Sequence, residues 1–129
     1  MIRGVQSGTT GLSGKVAVVS GSDGRLGRAW CASLRDVGAY VTGVDLPQTD
    51  VRQRSQLDEI AKTIMGPDLL VLAAGIDAPP SDRSWELDMS FGPRMKELAP
   101  IAHAVLETTV VGIIRCLEAF TPGMIARGG

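Results

Sequence analysis

Three glycines in the stretch SGSDGRLGRAW, at Gly21, Gly24 and Gly27, are the first residues whose type and spacing suggest chemistry. They follow a valine-rich run, Lys15–Ser20 (KVAVVS), and lead straight into apolar residues at helical spacing. A strand that ends in glycines and feeds a helix aims backbone N–H groups and the positive helix end at one point, where a diphosphate fits. A Cβ at these positions would block both the tight turn and the close approach of the phosphates. A Walker-type loop is excluded, because it needs Lys-Ser/Thr after its last glycine and Arg28-Ala29 stands there. Taken alone, three glycines also suit a structural turn with no ligand.

Asp45 adds a second group, 18 residues beyond Gly27 and at the end of the next apolar run. A carboxylate there can accept hydrogen bonds from both hydroxyls of an adenosine ribose, and it repels a 2′-phosphate. Loop, helix, strand and acid in that order point to a dinucleotide, with NAD preferred over NADP. Arg25, inside the loop and able to pair with a phosphate, argues the other way. The alternative for Asp45 is a solvated acid before the Leu46-Pro47 turn.

Acid–base chemistry is harder to find. The single tyrosine, Tyr40, has Val44 rather than Lys four residues later and reads as a packing residue. His103, the one histidine, sits beside Ala102 and Ala104 and reads as a surface residue of the last helix. Asp77, Asp82, Glu86 and Asp88 have no His or Cys neighbours, so a solvated flap is favoured over a metal site. Cys31 and Cys116 fall in helical patterns and read as reduced, partly buried packing residues of a cytoplasmic protein. No catalytic residue and no metal ligand is assigned.

The elements that must position these groups alternate. Strand candidates are Lys15–Ser20, Ala39–Asp45 and Asp68–Ala74. The first helix carries Leu26, Ala29, Trp30, Ser33, Leu34 and Val37, and stops at Gly38. The second, Ser55–Met65, carries Leu57, Ile60, Ala61 and Ile64 on one face. The last starts near Pro100 and carries Ile101, Val105, Thr109, Gly112, Ile113, Cys116, Leu117 and Phe120, with Pro122 and Gly123 weakening it. Residues 76–97 have no sustained period and read as a loop. This alternation predicts an α/β fold, a Rossmann-like parallel sheet with helices on both faces. Residues 1–11 read as a flexible leader, and residues 12–129 as one partial dinucleotide-binding domain.

The net charge of −1 gives no electrostatic case for nucleic acid or an anionic membrane. Aromatics are too scarce for a base-stacking platform. No uninterrupted apolar run approaches the roughly 18 residues of a membrane helix.

Four blocks together resemble the short-chain dehydrogenase/reductase family: Leu12–Ala29, Asp50-Val51, Asp68–Ile76 and Glu107–Gly129. The first is similar to that family's first strand and cofactor loop. Asp50-Val51 matches the pair that lies along the adenine, and Asp68–Ile76 the strand ending in Asn-Asn-Ala-Gly. Glu107–Gly129 resembles the long helix between the fourth and fifth strands. The resemblance implies a cofactor site of Gly21, Asp23, Gly24, Arg25, Leu26, Gly27, Asp45, Leu46, Asp50, Val51, Ala73, Ala74 and Gly75. It also implies hydride transfer between a nicotinamide and an alcohol or carbonyl.

Several departures accompany it. Ser20 replaces the loop's Thr and Arg25 its middle glycine, which leaves the G-x-x-G-x-x-G spacing of sugar-nucleotide epimerases and dehydratases. Leu72-Ala73 replaces Asn-Asn, so the amides that tie neighbouring strands are missing. Thr109 replaces the helix Asn that supports a proton-relay water; back-bonding to a helix carbonyl is the favoured role for its hydroxyl. Only four residues separate Asp45 from Asp50, so a helix is missing there and the strand before Asp50 can be only a stub.

The family's Ser and Tyr-x-x-x-Lys are absent from this chain, whose Tyr would need the lysine because its ordinary pKa is about 10. The expectation is thus the front part of such an oxidoreductase, truncated after the fourth strand and long helix and inactive by itself. Small-molecule substrate would bind only in a complete parent. A non-catalytic dinucleotide-binding or interaction module, and the front of an NAD-dependent epimerase or dehydratase, stay open as alternatives. The unpaired third strand and bare final helix predict weak monomer stability or a homo-oligomer through that edge.

Overall fold

A computed structural model describes residues 11–76 and 102–129. Most of the proposed leader and of the 76–97 loop, with its four acids and Ile101, lies outside the described residues. Three strands, β1 (Val16–Ser20), β2 (Tyr40–Val44) and β3 (Leu69–Leu72), form one parallel sheet in the order β2-β1-β3. Val16 to Ser20 pair in register with Tyr40 to Val44, and Ala17 to Ser20 with Leu69 to Leu72. Helices α1 (Arg25–Asp36) and α2 (Arg54–Ile64) follow the first two strands. A third helix, α3, spans Ala102–Ala126.

The central strand explains its own composition. Ala17 and Val19 face one core with Cys31, Leu34 and Ala39; Val18 faces the other with Val44, Val51, Leu57, Cys116 and Phe120. A strand covered on both sides needs apolar residues at every position, which is what VAVV supplies. α1 therefore closes one face, and α2 with α3 the other. Both cysteines are buried and unpaired.

Three sequence expectations change. The buried face of α1 runs through Gly27, Cys31 and Leu34, whereas Leu26 and Trp30 are 70% and 49% exposed. The helix turns Gly27 inward at its first turn, because the glycine loop approaches too close there for any side chain. Tyr40 is not a packing residue: it opens an edge strand and is 71% exposed. Between β2 and α2 the chain makes turns with no strand stub before Asp50.

α3 also departs from expectation, since it continues through Pro122 to Ala126. A proline lacks the N–H that would bond the carbonyl four residues earlier, here Glu118. Arg54 supplies the missing donor: its Nη2 donates to the Glu118 carbonyl at 3.3 Å and its Nη1 to the Glu118 carboxylate at 2.6 Å. By length and composition α3 could cross a membrane, although no single uninterrupted apolar run reaches that length. Within the fold, its buried residues Gly112, Cys116 and Phe120 pack on α2 and the sheet. At the opposite end from the strand tips, Asp68 accepts from the Val16 amide at 2.8 Å and pairs with Lys15 and Arg127. β3 has no strand on its outer side among the described residues.

Candidate functional site

All three strands end at the same rim, and a cavity of about 420 Å³ opens there. The glycine loop forms one wall through Gly21, Asp23 and Gly24. Val44, Asp45, Leu46 and Thr49–Arg52 form the second, and Ala73–Ile76 with Thr108 form the third.

The loop is shaped by close backbone approaches. Gly21 has φ +68°, and a Cβ on it would lie 2.7 Å from the Ala73 carbonyl and Ala74 Cα. A Cβ on Gly27 would run into the Gly21 carbonyl oxygen and lie 2.6 Å from its carbon. The first and last glycines are thus needed for the turn and for helix-to-loop packing, as in a dinucleotide loop. The amides of Arg25 and Leu26 open α1 and have no carbonyl one turn back within the helix. Neither side chain lines the cavity, so any contribution of these two comes from the backbone.

Asp45 is placed by the end of β2. Its Oδ2 accepts from the Asp23 amide and its Oδ1 from the Leu46 amide, both at 2.8 Å. These two bonds hold the carboxylate at the cavity wall, between the glycine loop and the Leu46–Arg52 segment. Each oxygen keeps a lone pair for a further donor.

Asp50 is engaged differently. Its Oδ1 accepts from the Arg52 amide at 2.9 Å and Arg52 Nε at 3.0 Å, and its Oδ2 from Arg52 Nη2 at 2.8 Å. The Arg52 guanidinium holds its carboxyl below the ordinary carboxylate value. The Asp50 amide in turn donates to Gln56 Oε1 at 2.7 Å. Val51 is buried, and a Cβ on Gly112 would come within 2.8 Å of Val51 Cγ2, so α3 crosses directly behind it.

The missing asparagines have a substitute. Ser20, almost fully buried, accepts from the Ala73 amide on its carbonyl at 3.1 Å and from the Ala74 amide on its Oγ at 3.2 Å. One hydroxyl at the end of β1 thus ties β3 to it where Leu72-Ala73 cannot. Thr109 corrects another expectation, since its Oγ1 accepts from the Ile76 amide at 3.4 Å. A π-helical turn, Glu107–Val111, interrupts α3 there, with Gly112 N–H bonded to the Glu107 carbonyl. The wide turn directs Thr108 to the cavity and Thr109 to the segment after β3. π-turns often occur at functional sites.

Of the thirteen residues expected at the cofactor, Gly21, Asp23, Gly24, Asp45, Leu46, Asp50, Val51, Ala73, Ala74 and Gly75 line this cavity together. Arg25, Leu26 and Gly27 do not line it. Val44, Thr49, Arg52, Ile76 and Thr108 line it without having been singled out in the sequence. Only Arg52 carried a signal, the Asp-x-Arg spacing from Asp50. His103 is exposed on α3, and among the described residues no cluster of His, Cys, Asp or Glu could hold a metal.

No protein-family model matches the chain. Glycine betaine reductase ATRR of Emericella nidulans is 30% identical over 142 residues, covering 91% of this chain and 10% of that protein. A short chain dehydrogenase from Burkholderia cenocepacia, solved with NADP, superposes with a TM-score of 0.69 at 23% identity. It covers 93% of this chain, which spans 51% of it. A short chain dehydrogenase/reductase from Burkholderia phymatum, solved with NAD, gives a TM-score of 0.66 at 20% identity, over 93% of this chain and 47% of its own. The chain spans about half the length of these solved structures. Sheet order and these superpositions together give it a Rossmann-like α/β fold, shared with about half of each of these solved chains.

Proposed function

We propose that residues 12–129 form the dinucleotide-binding part of a short-chain dehydrogenase/reductase, an oxidoreductase that moves hydride between a nicotinamide and an alcohol or carbonyl. The observation that carries this reading is Asp45, held by two backbone amides at the wall of a cavity that begins with the glycine loop. The diphosphate lies against the glycine loop and the Arg25 and Leu26 amides at the N-terminus of α1, and the adenosine ribose donates to Asp45. The same carboxylate favours NAD over NADP, because a 2′-phosphate would meet a negative charge. The solved relatives hold one cofactor each way, so the preference rests on Asp45 alone. The chain has no Tyr-x-x-x-Lys, so it binds without supplying the proton relay. A cytoplasmic site is part of this reading, in keeping with two buried cysteines that form no disulfide.

The test is titration of the chain with NAD, NADP and ADP-ribose, followed by calorimetry or amide shifts. NAD and ADP-ribose are expected to bind, with NADP weaker. Asp45→Ala removes the acceptor for two hydroxyls, each hydrogen bond to a charged group being worth about 1.5 kcal/mol or more. An affinity loss of about a hundredfold or more is expected. Unchanged affinity in that variant refutes the ribose assignment, and no saturable binding of any of the three refutes the function.

A further inference from the structure

We propose that the outer edge of β2 is a docking site for an extended acidic peptide segment, which adds to the sheet as a further strand. The proposal stands apart from the dinucleotide reading, since neither Val41, Gly43, Arg28 nor Arg35 lines the strand-rim cavity.

Backbone geometry sets up the edge. The Tyr40 amide donates to the Lys15 carbonyl and the Gly21 amide to the Val44 carbonyl, both at 2.8 Å. In a parallel ladder, residues whose backbone groups face the neighbour alternate with residues whose groups face away. Tyr40, Thr42 and Val44 therefore bond to β1, and Val41 and Gly43 turn their N–H and C=O groups outward. Those groups have no hydrogen-bond partner among the described residues. From Asp45 to α2 the chain runs in turns and lays no strand beside β2. Edge strands are commonly blunted by a charge, a proline or a bulge. Tyr40–Val44 reads YVTGV, with none of these, and its register with β1 is unbroken. An extended peptide gains main-chain hydrogen bonds at such an edge.

A charged cavity beside this edge selects the occupant. It holds about 420 Å³ between α1 and β2, lined by Gly43, by Ser22 and Asp23, and by Arg28, Cys31 and Arg35 of α1. Arg28, Cys31 and Arg35 stand at i, i+3 and i+7, on one face of the helix. Neither guanidinium has a hydrogen bond or an ion pair among the described residues. Two cations against the single carboxylate of Asp23 leave the cavity basic. Carboxylates two residues apart on an added strand point to the same side of the sheet, about 7 Å from each other. The two arginines are about 10 Å apart along the helix axis, and their long side chains span the difference. A second copy of this chain fits less well. Antiparallel pairing of two β2 edges about a two-fold axis would set both α1 helices on the same face and bring both pairs of arginines together.

The experiment titrates the isotopically labelled 129-residue chain with the synthetic peptide Thr-Val-Glu-Val-Glu-Val-Thr, and with the same peptide carrying Lys in place of Glu. Amide shifts give the affinity, and hydrogen exchange reports protection. The acidic peptide is expected to bind saturably, to protect the Val41 and Gly43 amides, and to bind about fivefold or more tighter than the lysine peptide. The double variant Arg28→Ser, Arg35→Ser should lose that preference. Val41→Pro removes one outward donor without touching the ladder to β1, and should weaken binding about fivefold or more. No binding, equal binding of the two peptides, or binding that leaves both amides unprotected overturns the proposal. Protection of the same amides that rises with the concentration of the chain alone assigns the edge to a second copy, and also overturns it. If far-UV circular dichroism shows Val41→Pro unfolded, the unaltered chain and the arginine variant decide.

Discussion

Replacing Gly27 by alanine puts a single methyl group between α1 and the loop that opens the cavity. The new Cβ would sit 2.6 Å from the Gly21 carbonyl carbon and 2.8 Å from Ser22 Cα. Carbon–carbon contacts relax to about 3.5–4.0 Å, so one side must retreat by roughly 1 Å. Both obstacles are backbone, and no rotamer change relieves them. Overpacking of this kind costs about 1–3 kcal/mol, offset by about 1 kcal/mol because alanine favours helix over glycine. A net loss of about 1–2 kcal/mol is expected, which for a domain of this size lowers Tm by about 5–15 °C. The larger effect falls on binding. Hydrogen bonds fade beyond about 3.2 Å between N and O, so a shift of roughly 1 Å between α1 and the loop misplaces the Arg25 and Leu26 amides, the donors offered to the diphosphate. NAD affinity should fall at least about tenfold. Gly24→Ala is the control for stability alone: the new Cβ would meet only the Gly21 carbonyl oxygen, at 3.2 Å, but Gly24 lines the cavity. Calorimetric titration with thermal melts of both variants tests the reasoning. A Gly27→Ala protein with unaltered Tm and affinity would refute it.

The remaining predictions concern stability. Phe120→Ala removes the largest fully buried side chain among the described residues and should cost about 3–5 kcal/mol by urea denaturation, whereas Tyr40→Ser should change stability by less than about 0.5 kcal/mol. Arg54→Met leaves the Glu118 carbonyl without its donor, and hydrogen exchange after Pro122 should accelerate while amides in β1 stay protected. Burial pushes the Cys116 thiol up to about 11, so an alkylating reagent at pH 8 should label it only as fast as the chain unfolds. Asp50, beside Arg52, and Asp68, beside the Val16 amide, titrate below their ordinary 3.8 in the folded chain. Their contribution is present above the unfolded value and lost as pH falls through the lower folded ones. Urea midpoints should hold from pH 7 to about 5 and drop below about 4, less steeply in Asp68→Asn.

Much of the fold was legible because it depends on local pattern. VAVV between polar residues and glycines specifies a doubly covered strand, and Leu57, Ile60, Ala61 and Ile64 specify the buried face of α2. Asp45 was legible for the same reason, as a strand-end acid at a fixed distance from the loop. Leu26 and Trp30 misled because helical spacing admits two faces on α1. The choice went to Gly27, Cys31 and Leu34, since only a glycine fits at the first turn, where the loop folds back. Tyr40 misled because an edge strand leaves one side uncovered.

What the sequence by itself determined was the order of elements, the glycine turn, the central strand and the acid at the end of β2. Each follows from backbone sterics and from periods of two and 3.6 residues, which a linear chain displays. Tertiary structure alone decided the rest. It set Ser20 to tie β3 where two asparagines are absent, and gave Thr109 the Ile76 amide through a π-helical turn. It also carried α3 past Pro122 with a guanidinium from another helix. Those outcomes are hydrogen bonds between segments up to 64 residues apart, and no local pattern records which distant donor will arrive.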